Sequence, residues 1–195
     1  MRLTGTGSRA ARIAVTTALM VGAFFLGSFY LQNHQGHGAL MTGVLLPVAL
    51  VTMAAASAAG RVIGRLGARL LAAVTLAVAA AGFLVPVLWS GTAAMVTGVS
   101  MAAAGLGALF VVAVATALSS VAPHEAGVAS GIVSTFHEFG ASVGAAVVSS
   151  AAASSIAVRT GANAASGFDD AFFVATGVAA LSAVIALRLI PSKHE

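Results

Sequence analysis

Long stretches without a charged side chain, set apart by short polar breaks, run through the 195-residue chain. The apolar runs are Ile13–Leu31, Ala39–Ala59, Leu70–Trp89, one within Thr92–Ala122, one within Ala126–Val158 that holds a single deep charge, and Ala171–Ile190 with Arg188 near its end. A bilayer core about 30 Å thick is crossed by about 20 apolar residues of helix. The pattern therefore predicts an all-α integral membrane protein with six transmembrane helices. The fourth and fifth runs are too long for one crossing and too short for two with a turn, so they are expected to continue as helix into the aqueous phase. Barrel strands alternate apolar and polar positions over about ten residues. These runs are apolar all round, which excludes a barrel.

The breaks carry turn chemistry: Gln32–Gly38 (QNHQGHG), Gly60–Arg69 (GRVIGRLGAR), Ser90–Gly91, Pro123–His124–Glu125 and Arg159–Asp170. Pro47 and Pro86 lie inside runs, where each removes a helix hydrogen bond and favours a kink. Neighbouring helices can tolerate this in a membrane. The expected organisation is a cytoplasmic segment over 1–12, a six-span bundle over 13–190 and a cytoplasmic tail over 191–195. The first run, 19 residues long, exceeds the apolar core of about 7–15 residues of a cleaved signal peptide, and it is expected to stay as a span.

Composition agrees with this division. Hydrophobic types make up 59% of the chain and charged types 7%, against about 25% charged in soluble domains. A soluble globular domain and an intrinsically disordered chain are both excluded. The absence of cysteine removes disulfides, thiolate metal sites and cysteine nucleophiles. The excess of basic residues points to the lipid bilayer and not to nucleic acid, because in a membrane protein basic side chains set orientation. With the N-terminus cytoplasmic, Arg2, Arg9, Arg12, Arg61, Arg65, Arg69, Arg188 and Lys193 share that side. Arg159 alone, of nine Lys and Arg, falls outside, beside Asp169 and Asp170. The chain is expected in the cytoplasmic membrane with both termini cytoplasmic.

Gly105 and Gly107 thin the fourth run, and Gly127–Gly131 and Gly140–Gly144 are GxxxG pairs on the fifth. Small residues at this spacing let helix backbones approach; a sliding surface is the other use of such a stripe. The fifth run is expected to pack in the bundle, with little lipid contact on one face. Phe24, Phe25, Phe29, Tyr30 and Trp89 lie toward the outer ends of their runs. They suit an interfacial aromatic belt. A substrate-lining role is the alternative for Phe25 and Phe29, which share a helix face. His34 and His37 have no third ligand in sight, so no metal site is expected. His124 and Glu125 suit the start of the fifth helix, where an acidic residue is favoured. The chain has no GxSxG nucleophile and no phosphate-binding glycine loop with lysine. It is expected to be no enzyme and to use no cofactor.

The deep charge is Glu138. It lies about 16 Å along the helix from Gly127, near the middle of the core. A charge at that depth costs at least about 2.5 kcal/mol, and taking up a proton removes the cost. Glu138 is therefore a proton-coupling candidate. His137 beside it is a second, although successive helix positions point about 100° apart and the two need not touch. A neutral, hydrogen-bonded Glu138 is the structural alternative.

GRVIGRLGAR resembles the cytoplasmic loop motif of the major facilitator superfamily through Gly60, Arg65, Gly67 and Arg69, with Arg61 completing a basic set spaced by four; Gly64 stands where the motif prefers Asp. FFLGSFYLQ (24–32), MTGVLLP (41–47), PHEAG (123–127) and GVASGIVSTFHEFGASVGAAV (127–147) are similar to the drug:proton antiporter family with fourteen spans. His137–Glu138 replaces a basic and amide pair common in that family, so the proton role is not inherited from it. The resemblance, over about 13–190, implies a C-terminal six-helix half of a transporter. It also implies proton-coupled export of hydrophobic or cationic small molecules, and an N-terminal half-transporter or a second copy as partner. The antiporter motif of the first half has no match. A truncated or degenerate bundle without transport, or an interaction subunit, is the alternative.

Overall fold

The computed structural model describes residues 3–119, 121–157 and 172–182, all of them helices and the short connections between them. The order is α1 (Leu3–Phe29), a π-helical turn (Tyr30–His34), α2 (Ala39–Leu45), α3 (Val48–Leu88), α4 (Thr92–Leu118), a 3₁₀ turn (Pro123–Glu125) and α5 (Ala126–Ala157). A further helix, α6, covers Phe172–Ser182. The expected outer loop Arg159–Asp170, the rest of the sixth span, its Arg188 and the tail with Lys193, His194 and Glu195 lie outside the described residues, as does Arg2.

Three described stretches are long and apolar enough to cross a membrane: Arg12–Asn33, Ala39–Leu88 and Thr92–Leu118. The second, of 50 residues, would measure about 75 Å if straight, more than twice the core thickness. It is not straight. Gly67 has φ 77° and ψ 154°, a region open essentially to glycine alone, and the chain doubles back there. Thr52, before the bend, and Thr75, after it, abut the nearby Gly107 and Gly105 of α4.

This corrects the expected ten-residue break at Gly60–Arg69. Helix runs unbroken to residue 66 and resumes after Gly67. Arginine is a good helix former, and one glycine suffices to turn the chain. Arg61 and Arg65 are exposed on the first limb and Arg69 is partly buried on the second. The three therefore do not form one basic stripe. Pro47 sits at the junction of α2 and α3, while Pro86 is buried near the end of α3. The polar run after α1 is also partly helical, since Gln32 and Asn33 fall in the π-helical turn.

α4 is the centre of the bundle. Apolar nearly all round, it is the helix suited to burial on every side, and its buried residues run from Met95 to Ala113. Glycine permits close packing on α3: a Cβ at Gly98 would lie 2.6 Å from Pro86, one at Gly82 2.7 Å from the Gly98 carbonyl, and one at Gly105 2.7 Å from the Ala79 nitrogen. Gly27 of α1 packs on Val99. α6 joins through Phe172, whose ring lies 6.3 Å from that of fully buried Phe83. Buried threonine hydroxyls bond within their own helices: Thr17 donates to the Ile13 carbonyl at 3.0 Å and Thr75 to the Ala72 carbonyl at 3.0 Å. This local bonding lets threonine sit in an apolar interior.

Candidate functional site

The polar side chains of α5 fall on two different faces. One face is packed against α1. A Cβ on Gly140 would meet the Ala14 backbone, at 2.7 Å from its Cα, and one on Gly144 would meet Ala18, at 2.8 Å from its Cα. Ala14 pairs with Gly140 and Ala18 with Gly144, so α1 and α5 run parallel. Their backbones touch because neither glycine carries a side chain.

His137 lies in this seam. It precedes Gly140 by one turn, which puts it on the packed side. Its Nδ1 is 2.9 Å from the Thr17 hydroxyl of α1. Thr17 is fully buried. The imidazole also meets Phe110 of α4, with ring centroids 5.1 Å apart and planes at 60°. Three helices thus converge on one imidazole. The sequence holds no local signal for the Thr17–His137 pair, whose members are 120 positions apart. The usable hint is general: a polar group in an apolar helix seeks a partner on another.

Glu138 points elsewhere. One position on, and about 100° round the helix, it is exposed, with no partner for its carboxylate among the described residues. Ser134, Ser142 and Ser149 recur near the same angle and are exposed too. The Ser142 hydroxyl donates to the Glu138 backbone carbonyl at 2.9 Å and Thr135 to the Gly131 carbonyl at 2.9 Å, so these hydroxyls are satisfied within the helix. Beside this polar stripe runs an apolar one: Val128, Ile132, Phe139, Val143 and Val147 are all exposed. α5 is covered along a single face, the one that meets α1 through Gly140 and Gly144.

The two GxxxG pairs separate in the same way. Gly140 and Gly144 are buried against α1. Among the described residues, Gly127 and Gly131 have no atom within 4 Å of where a Cβ would stand, so no described neighbour packs on them. Nine positions separate Gly131 from Gly140, which is about half a turn round the helix, so the first pair lies on the Glu138 side and only the second faces α1. Gly105 and Gly107 meet α3 as described above.

The remaining candidates are dispersed. Gly60, Arg61 and Arg65 lie exposed at the end of the first limb of α3, with Gly67 buried at the bend. Phe25 is exposed and stands edge-on to Phe24 at 6.3 Å. Phe29, one turn further, packs against the core. The structure brings neither of them to His137 or Glu138. Among the described residues no three His, Asp or Glu side chains converge.

Comparison with known proteins gives this arrangement a family. The profile described as Major Facilitator Superfamily matches residues 9–145, which takes in α1 to α4 and the seam glycines of α5. The chain is 30% identical over 194 residues to the puromycin resistance protein pur8 of Streptomyces alboniger, covering 90% of this chain and 39% of the relative. It therefore spans about two fifths of the length of that relative. All-helical, with stretches long enough to span a membrane and a profile match over most of its length, the chain belongs to the Major Facilitator Superfamily.

Proposed function

We propose that the chain is the C-terminal six-span half of a secondary transporter of the drug:proton antiporter kind, exporting hydrophobic or cationic small molecules as protons enter. The observation that carries this reading is the uncovered polar stripe of α5. It exposes Glu138, which residue counting puts near bilayer mid-depth, beside serines and next to an apolar stripe. A carboxylate facing lipid at that depth costs several times thermal energy. One facing a polar cavity or a second bundle does not. In this reading the apolar stripe meets lipid and the Glu138 stripe meets the missing half, either an N-terminal half-transporter or a second copy.

The chemistry follows from the two candidates. Glu138 attracts a cation or holds a proton, and the two exclude each other on one carboxylate. His137, held in the seam, is the second proton carrier. In this orientation Arg12, Arg61 and Arg65 lie on the cytoplasmic side of the cell membrane, with both termini there. The name of the similar protein, a puromycin resistance protein, agrees with export of an organic molecule.

The test is pH-gradient-driven efflux of a fluorescent cationic dye from cells expressing the chain, alone and with an N-terminal half supplied. Glu138→Gln keeps shape and hydrogen bonding while removing titration. Loss of the pH dependence with insertion intact supports the reading. Undiminished pH-dependent efflux by the variant removes Glu138 as proton site. Efflux at vector-control level in every combination favours a non-transporting bundle.

A further inference from the structure

Thr17 stands in an unusual position between two acceptable partners. Its hydroxyl oxygen is 3.0 Å from the Ile13 carbonyl and 2.9 Å from His137 Nδ1. A hydroxyl has one proton, and it cannot point along both directions. Both contacts are hydrogen bonds together in one arrangement: Thr17 donates to the Ile13 carbonyl, and His137 Nδ1–H donates to the Thr17 oxygen. We infer that Thr17 is a positioning residue that fixes neutral His137 as the Nδ1–H tautomer, leaving Nε2 as the atom that gains and loses the proton.

The consequence is specific. Proton uptake forms one Nε2–H bond, with hydronium as the donor, which is left as water. The Nδ1–H···Oγ1 and Oγ1–H···O=C bonds are the same before and after. His137 can thus change charge without breaking its link to α1. The opposite tautomer would need the Thr17 hydroxyl to turn away from Ile13, and then to turn back on protonation, because imidazolium offers two donors and no acceptor.

The surroundings determine what the imidazolium meets. α4 contributes no Asp, Glu, Lys, Arg or His at any position from Thr92 to Leu118. It contributes the Phe110 ring, which at 5.1 Å is within the roughly 6 Å reach of a cation–π contact. α1 carries Arg9 and Arg12 toward its N-terminus and no acidic residue. On α5 itself Glu138 is next in sequence but about a quarter turn away. The charge is therefore held by the Thr17 oxygen and the Phe110 ring, not by an ion pair with α1 or α4. The proton-carrying role of His137 rests on the transport reading above; the tautomer and its cause do not.

The experiment reads the imidazole directly. The full chain, labelled with ¹⁵N-histidine and placed in lipid bilayers, is measured by solid-state NMR above the titration of its histidines. The His137 signals are identified among five histidines by their loss in His137→Gln. The inference expects a protonated Nδ1 and a bare Nε2 in the native chain. Thr17→Ser should retain that pattern. Thr17→Val, which keeps the shape and removes the acceptor, should lose the Nδ1–H signal. A native His137 with a bare Nδ1, or a Thr17→Val spectrum identical to native, overturns it. If Thr17→Val does not fold, the native and Thr17→Ser spectra still decide. Absence of dye efflux alongside the expected spectrum would sink the transport reading alone.

Discussion

Gly140→Ala adds a single methyl group at the tightest point of the α1–α5 seam. The new Cβ would stand 2.7–2.8 Å from the Cα and carbonyl carbon of Ala14, where ordinary contact begins at 3.4 Å. The obstacle is backbone, the Ala14 carbonyl oxygen nearest of all, which has no rotamer to yield, so the helices must part by at least about 0.7 Å. Such overpacking costs about 1–3 kcal/mol, and the better helix propensity of alanine returns up to about 1 kcal/mol. The net expectation is a loss of about 1–2 kcal/mol. A shift of that size also stretches the 2.9 Å Thr17–His137 contact to about 3.6 Å, too long for a hydrogen bond. Gly131→Ala is the control. It belongs to a pair of the same spacing on the same helix, but its Cβ would enter open space, and it should be neutral or gain up to about 1 kcal/mol. Unfolding of both variants by increasing SDS in bicelles, followed by circular dichroism, compares them directly. Equal midpoints for Gly140→Ala and Gly131→Ala would refute the assignment of the seam.

Three further outcomes are expected. Gly67→Ala forces a side chain into a glycine-only backbone region and should cost about 1–3 kcal/mol in the same titration, whereas Gly64→Ala should cost nothing. Single cysteines at Gly38 and Gly64, both in open space, should differ in labelling by an impermeant thiol reagent applied to whole cells: Gly38→Cys reacts and Gly64→Cys does not, and the reverse pattern inverts the topology. Arg65→Ala in a complete transporter should lower efflux turnover at unchanged membrane insertion; unchanged turnover leaves Arg65 with orientation alone.

The apolar runs foretell helices because every position in them, whatever face it occupies, is compatible with lipid or with packing. The same uniformity hides the arrangement. Counting residues puts Gly127–Gly131 about half a turn round the helix from Gly140–Gly144, but nothing in the sequence says which of the two faces α1 takes. The position of Glu138 along its helix is legible, because residues along a helix can be counted. Its direction is not, because direction depends on which face the neighbours take. The bend after the second run is legible too, but spread over ten residues, since charge and glycine read as loop. A helix whose arginines reach water needs no loop, and the reversal condenses onto Gly67. The Thr17–His137 contact is beyond reach: it joins two helices that are distant in sequence, and neither residue carries a motif.

The turn at Gly67 also limits how the two limbs of α3 can move. A flexible connection of several residues has many soft torsions and lets its flanking helices slide, tilt and separate independently. Here a single residue links them, with two soft dihedrals and helix on either side. Translation of one limb past the other would have to unwind a helical turn. What remains is pivoting about Gly67 itself, with Arg61 and Arg65 close to the fulcrum and travelling little while the far ends at Val48 and Leu88 sweep the widest arcs.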